Sequence, residues 1–255
     1  MKIAGITKVR NEADIIDLTL DWYAKFCNAG IYVYDDCSED NTVDVCKRHP
    51  FVSYVIEGKI WHYDRTIAEY QTRQVVLERA KLDKPDWFIY FDADEFIDFE
   101  IDFDILKKVD AINMKLFDFY ITEEDKDKHF LERQFIGPEY RIIVMMFKNS
   151  EYLRYDSPDQ REVHLPPNAK IITEGFVRHY GKAISVKRWE KKCQYYEDYF
   201  PEPYKTKWKN RKGKCIKQWK YLSDFNYPLI KWQDRFSGGI ELTPAIEKAV
   251  LPKHL

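Results

Sequence analysis

The chain has 255 residues, 45% of them hydrophobic and 33% charged, the ordinary composition of a folded soluble protein with one large domain or a domain plus an appendage. The formal net charge of −2 argues for neither a nucleic-acid nor a membrane partner for the chain as a whole, and no apolar run approaches membrane-spanning length. Five cysteines (Cys27, Cys37, Cys46, Cys193, Cys215) form no CxxC pair, and no signal-peptide core precedes Lys8 and Arg10. Reduced thiols and a cytoplasmic location, free or on the inner face of a membrane, are therefore expected.

In chain order, residues 2–9 read as a short β-rich run, and Asn11 as the cap of a helix over 12–28 that Gly30 stops. Residues 31–34 (IYVY) form a second strand, followed by the polar turn 35–41 and a short helix to Arg48. Residues 51–56 are a third strand, Asp64 caps a long helix to Leu82, and residues 87–91 (WFIYF) are a fourth strand. Strands are then predicted at 111–120, 141–148, 162–165 and 176–180, and a helix at 184–200. Alternating strands and helices with short links imply an α/β fold whose ligands bind beyond the carboxyl ends of the strands. Charged clusters sit at those ends after the first, second and fourth strands. Residues 1–200 are expected to form one domain, with a nucleotide-binding half (1–110) and an acceptor and metal half (111–200), and 201–255 a basic, aromatic extension.

The sharpest chemical feature is FDADEF (91–96). Two carboxylates one residue apart beyond an apolar strand, Asp92 and Asp94, can both reach a hard divalent cation such as Mg²⁺ or Mn²⁺. The plain alternative is an acidic turn that caps the next element. In YDDCSEDNT (34–42), Asp36 and Asp35 can accept hydrogen bonds from a base edge or ribose hydroxyl, while Asp40 is read as structural. In KVRNE (8–12), backbone N–H groups at a helix N-terminus could face a ligand.

These three segments, in this order and at these separations, resemble the nucleotide-binding half of family 2 glycosyltransferases with the GT-A fold, whose "xxNE", "DDxSxDxT" and "DxDE/D" segments follow one another along the sheet. The likeness extends over residues 1–200 and is strongest to the bacterial branch that decorates lipopolysaccharide cores and other surface glycans. That branch shows a later arginine-rich strand, a "VHE" segment and an "HYG" segment, matched here by RIIVMMFKN (141–149), Glu162-Val163-His164 and Arg178-His179-Tyr180-Gly181. Leu165 stands where that branch has its glutamate after the histidine.

The resemblance implies a GT-A-like mixed, mostly parallel sheet flanked by helices; a helical C-terminal appendage is expected beyond it, where the family offers no counterpart. It also implies metal-dependent, inverting transfer of a sugar from a nucleoside-diphosphate donor, UDP-sugar first among the choices, to a glycan or lipid-linked acceptor. By position, Val9, Arg10 and Glu12 would lie near base and ribose, Asp36 on uracil or ribose, Asp92 on ribose or metal, Asp94 on the metal, and His179 as a late metal or diphosphate ligand. Arg73 is either a cation aimed at the diphosphate or part of a solvated helix face. Candidates for the base that deprotonates the acceptor are Glu162, Asp159 and Asp156, with Glu162 preferred because a strand would turn it to the same side as His164.

Between residues 182 and 220, 13 Lys or Arg stand against four acids, a local excess of nine. This half could hold an anionic acceptor or rest on the cytoplasmic leaflet. Rival enzymes fare worse. A nucleotidyltransferase needs a Gly-rich phosphate loop that ITKVRNE lacks, and an Asp-nucleophile phosphatase needs a hydroxyl residue where Phe96 stands. A catalytically degenerate glycan- or membrane-surface-binding module is the non-enzymatic alternative.

Overall fold

The computed structural model describes residues 1–157, 161–218, 221–236 and 243–244. The first half consists of β1 (Ile3–Val9), α1 (Ile16–Ala24), β2 (Ile31–Asp35), α2 (Thr42–Arg48), β3 (Val52–Glu57), α3 (Arg65–Lys81), β4 (Trp87–Phe91) and β5 (Glu95–Asp98). It continues with α4 (Phe103–Leu106), β6 (Ala111–Asp118), β7 (Ile121–Thr122), β8 (Phe135–Ile136), β9 (Glu139–Lys148) and β10 (Ile171–His179). The last elements are α5 (Val186–Tyr199), α6 (Tyr204–Lys209), β11 (Ile216–Lys217), β12 (Ile230–Lys231) and β13 (Thr243–Pro244).

Eight strands lie in the order β3-β2-β1-β4-β9-β6-β10-β5, with β13 added to β9. β3, β2, β1 and β4 run parallel, β9 is antiparallel to both β4 and β6, β10 is parallel to β6, and β5 closes the edge antiparallel to β10. The expected mixed, mostly parallel sheet flanked by helices is therefore present.

The central strands are near-continuous apolar runs because both of their faces are covered. Ile3, Val9, Trp87, Ile89 and Phe91 join Ile16, Leu20 and Tyr23 of α1 in one core. Tyr23 stacks on Phe91 with ring centroids 3.7 Å apart. The intervening residues Ala4, Ile6, Phe88 and Tyr90 join Val76, Leu77 and Ala80 of α3 in the other. Each large apolar side chain fully buried in these layers contributes about 1.5–3 kcal/mol.

The same alternation turns Lys8 and Asp92, two residues beyond Ile6 and Tyr90, toward α3. There Lys8 meets Glu69, which also takes Arg73 at 3.1 Å and Arg65 at 3.5 Å. Burial would raise the Glu69 carboxyl, but Lys8 and Arg73 outweigh it and lower it from 4.5 to about 2. A depressed carboxylate contributes stability that is complete above its unfolded value and is lost as pH falls through the folded one. Urea unfolding is thus expected to show on the order of 3 kcal/mol lost between about pH 4.5 and 2 that Glu69→Gln no longer loses. Identical pH dependence in the variant would refute this.

Three expectations need correction. Helix α1 begins at Ile16, not at residue 12, because Asn11 adopts φ 53° and docks on the β2–α2 turn instead of capping. Its Oδ1 accepts from Glu39 N at 2.7 Å, and its own N donates to Ser38 Oγ at 2.9 Å. No strand forms at 162–165, where the backbone makes only an isolated bridge between Arg154 and His164. The stretch after 200, expected as a helical appendage, carries short strands besides a helix. Trp208 of α6 stacks on Tyr196 at 4.4 Å, β11 pairs with β7, β12 pairs with β8, and Trp232 packs on Phe119 at 5.4 Å. Among the described residues, no helix is long and apolar enough to cross a membrane.

Candidate functional site

The turn Asp92-Ala93-Asp94 links β4 to β5, and the sheet register brings the end of β10 onto it. His179 pairs with Glu95 on one side and with Asp118 on the other, and Tyr180 N donates to Asp94 O at 2.8 Å. Backbone pairing, rather than a mobile loop, therefore sets the imidazole against the acidic turn. His179 Nε2 lies 3.6 Å from Asp94 Oδ2, and Nδ1 lies 2.5 Å from Asp118 Oδ1. Burial lowers the histidine's pKa, but Asp94 and Asp118 outweigh it and the net direction is up. For Asp94, burial raises the pKa, while Lys192 and His179 bring it below the ordinary carboxylate range.

Helix α5 supplies the facing cations. Lys192 Nζ is 3.4 Å from Asp94 Oδ2 and 3.2 Å from Gly181 O. One turn earlier, Arg188 grips Glu12 and reaches Asp14 at 3.2 Å. Gly181 keeps the meeting point open. A Cβ there would lie 2.6 Å from His179 Nε2 and 2.7 Å from both Asp94 Oδ2 and Lys192 Nζ.

Asp92 is held differently from Asp94. Tyr90 OH donates to its Oδ1 at 2.7 Å, and Arg161 Nε lies 3.4 Å from its Oδ2. Arg161 also binds Glu95, while Arg73 Nε donates to Tyr90 OH at 2.7 Å. Arg73 is buried, so the solvated-face reading of it fails, and it acts on Asp92 through Tyr90. At the β1 and β2 ends, Val9 is buried and Val9 O accepts from Asp36 N at 2.9 Å. Asp36 is buried against Arg65 and, at 3.6 Å, Lys8. Arg10 Nη1 donates to the carbonyls of Asp36 (2.7 Å) and Cys37 (2.6 Å), and its guanidinium carbon lies 3.6 Å from the Trp61 ring centroid. As expected for a structural residue, Asp40 Oδ1 accepts from Thr42 N at 3.0 Å.

The backbone donors expected to face a ligand after β1 are used internally. Asn11 N and Glu12 N donate to Ser38 Oγ and Thr42 Oγ1 at 2.9 and 2.8 Å. Of the base candidates, Asp156 is engaged by Arg154 at 2.5 Å and His164 at 2.9 Å. Asp159 lies outside the described residues. Glu162 is half-buried and follows Arg161, whose own side chain reaches the acidic turn. The same-strand argument that linked it to His164 falls with the strand.

The residues that sequence reading missed are Lys192, Arg188, Arg161, Asp118, Arg65 and Trp61. Their one advance signal was the basic excess of the 182–220 stretch, which includes Lys192 and Arg188.

Asp94 and His179 offer one carboxylate oxygen and one imidazole nitrogen to a divalent ion. Among the described residues, no group of three or more His, Cys, Asp or Glu is placed to hold one alone. A two-ligand set beside an open cradle suits an ion completed by substrate phosphates and water. Two surface depressions, of about 450 and 620 Å³, lie elsewhere, one between α1 and α2 and the other at residues 100–105. The buried, convergent charges at the β4–β5 turn make that turn the candidate site.

No family model matches the chain. Over 104 residues it is 31% identical to an uncharacterized protein of Mycobacterium tuberculosis, covering 40% of this chain and 25% of that protein; the same values hold for a protein of Mycobacterium bovis. The chain thus spans a quarter of the length of these curated relatives. Among solved structures, it is similar to S. aureus TarS, with a TM-score of 0.46, 14% identity and coverage of 82% of this chain and 41% of TarS. It is also similar to glucosyl-3-phosphoglycerate synthase from Mycobacterium tuberculosis in complex with Mn²⁺, UDP and glucosyl-3-phosphoglycerate (TM-score 0.29, 13% identity, 45% and 44% covered). A third similar structure is mannosyl-3-phosphoglycerate synthase from Rubrobacter xylanophilus (TM-score 0.32, 21% identity, 52% and 44% covered). At these scores the functional reading rests on the geometry of the β4–β5 turn and its neighbours.

Proposed function

We propose that the chain is a GT-A-like, inverting glycosyltransferase that takes a sugar from a nucleoside-diphosphate donor and passes it to an acceptor hydroxyl on a glycan or lipid-linked glycan. The observation that carries this reading is the meeting of Asp94, His179 and Lys192 around Gly181 at the carboxyl end of the parallel strands. Asp94 and His179 would hold Mn²⁺ or Mg²⁺, which when bound supplies Lewis-acid stabilisation of the leaving diphosphate. Lys192 adds a fixed positive charge where phosphate oxygens gain negative charge. Asp92, oriented by Tyr90 and Arg161, accepts from ribose, and the nucleoside lies toward Val9, Arg10, Glu12 and Asp36.

In the transfer, the acceptor oxygen attacks the anomeric carbon from the face opposite the diphosphate. As that bond forms, the bond from the anomeric carbon to the β-phosphate oxygen breaks, its electron pair leaves with the nucleoside diphosphate, and the hydroxyl proton passes to Glu162. Asp159 stands beside Glu162 in sequence as the second candidate for that proton.

A ligand that binds only the folded state raises its melting temperature. A thermal-shift screen of UDP- and GDP-sugars, with and without Mn²⁺, is expected to give at least one donor whose shift requires the ion. Donor hydrolysis under the same conditions should follow. No response to any donor would overturn the reading in favour of a binding module.

A further inference from the structure

Residues 221–229 fold back on bonds of their own. Ser223 N donates to Tyr227 O at 2.8 Å, and Asn226 N donates to Ser223 O at 3.1 Å with Asn226 at φ 66°. Ser223 Oγ accepts from Phe225 N and Tyr227 N at 3.2 and 3.3 Å. The chain is pinned on either side of this turn, before it by β11 on β7 and after it by β12 on β8. Asp224 N donates to Tyr120 OH at 3.1 Å, and Tyr120 immediately precedes β7. Local bonds and strand pairing thus fix where the Asp224 carboxylate lies.

Asp224 Oδ2 is 2.8 Å from Lys182 Nζ and 2.7 Å from Arg211 Nη2, and Oδ1 is 3.2 Å from Lys217 Nζ. Burial would raise this carboxyl, but Lys182 and Arg211 outweigh it and lower it to about 2, so it is ionised at neutral pH. Lys182 Nζ also donates to Asp118 Oδ2 at 2.7 Å, while Asp118 Oδ1 faces His179 Nδ1. The ammonium is therefore shared between the two carboxylates. The side chains of Asp118, Lys182 and Asp224 are 12%, 11% and 10% exposed, so water screens this row poorly.

We propose that Asp224 is a positioning residue for His179: by sharing the Lys182 ammonium with Asp118, it keeps Asp118 a strong acceptor for Nδ1–H and so leaves Nε2 turned toward Asp94. With Asp224 charged, Lys182 divides its field between two acids. With Asp224 neutral, Arg211 and Lys217 lose the anion they share with Lys182, and the ammonium is driven onto Asp118. An acceptor taken up more fully by an ammonium holds the imidazole proton less strongly, and an imidazole with a weaker partner is a poorer metal ligand. The consequence for metal affinity rests on the proposed Asp94 and His179 site, whereas the hold on the imidazole does not.

Two measurements keep these apart. In the metal-free protein, proton NMR reads the Nδ1–H of His179, identified by its absence from His179→Gln. That resonance is expected far downfield in the wild type and further upfield in Asp224→Asn. An unmoved resonance overturns the proposal, whatever the protein does with metal. Isothermal titration with Mn²⁺ reads the consequence, and Asp224→Asn should weaken binding about three- to tenfold, less than the loss of Asp118 itself. In an Asp118→Ala background the same substitution should add little, because the effect passes through Asp118. An equal loss in both backgrounds would make Asp224 a distant charge and overturn the positioning role. A wild type that binds no Mn²⁺ would sink the metal site, and the resonance would still decide this proposal. Asp224→Glu, which keeps the charge, should fall between wild type and Asp224→Asn in both measurements. It carries the test in the same direction if the melting temperature shows that Asp224→Asn does not fold.

Discussion

Replacing Asp94 with Asn is expected to abolish the Mn²⁺-dependent donor shift and to lower sugar transfer by about a thousandfold or more, while the protein stays folded. The fold survives because the backbone bond from Tyr180 N to Asp94 O is independent of the side chain. The chemistry does not, because the carboxylate offers the one oxygen seen 3.6 Å from His179 Nε2. Gly181→Ala should reproduce much of the loss without removing any ligand, since its methyl would sit within 2.7 Å of Asp94, His179 and Lys192.

Asp118 then separates orientation from ligation. It accepts from His179 Nδ1, which leaves Nε2 as the free ring nitrogen on the Asp94 side, an arrangement that commonly changes metal affinity 10- to 100-fold when lost. Asp118→Ala should therefore weaken Mn²⁺ binding by about that factor, and Asp118→Asn, which keeps an accepting oxygen, by less. Isothermal titration with Mn²⁺ alone measures both. Unchanged affinity in Asp94→Asn would remove the basis of the proposed site.

Much of the first half of the chain could be read from residues alone because its signals are local. β1, β2 and β4 are apolar runs ended by charge, and Asp64 caps α3 as predicted, with its Oδ1 accepting from Ile67 N at 3.3 Å. The approach of His179 to the acidic turn was also anticipated, although only through a family pattern. What could not be read is pairing across sequence distance. Arg161 reaches Asp92 from 69 positions away, and Lys192 reaches Asp94 from 98. Nothing in the periodicity of α5 selects Lys192 over Lys191, its exposed neighbour. The error at Asn11 has a similar cause. An Asn before a helical pattern suggests a cap, but the turn at 35–41 offered stronger partners and drew the residue into the left-handed region. The strand expected at 162–165 failed because its alternation was short and because the preceding Arg161 and its own His164 are committed to carboxylates.

Arg65→Ala is expected to destabilise the protein by about 3–5 kcal/mol, the range for breaking a buried ion pair from one side. The Arg65 side chain is fully buried, binds Asp36, and donates to Tyr195 OH at 2.9 Å and His62 O at 3.2 Å. Without it, Asp36 keeps the Lys8 ammonium at 3.6 Å but cannot be solvated where it lies. If that stranded charge is the main cost, Arg65→Met combined with Asp36→Asn will cost less than the two single substitutions together, a coupling that urea unfolding of the four proteins measures directly. Strict additivity would mean that the loss comes from the Tyr195 and His62 contacts instead. The same set tests the role of Asp36 toward the nucleoside. A carboxylate neutralised by Arg65 and Lys8 can still accept a hydrogen bond from a base or ribose, but it does so as one member of a charged cluster rather than as an isolated anion. Asp36→Asn should therefore weaken donor binding beyond its stability cost in the presence of Arg65. A double variant that regains stability without regaining donor affinity would separate the two roles of this aspartate.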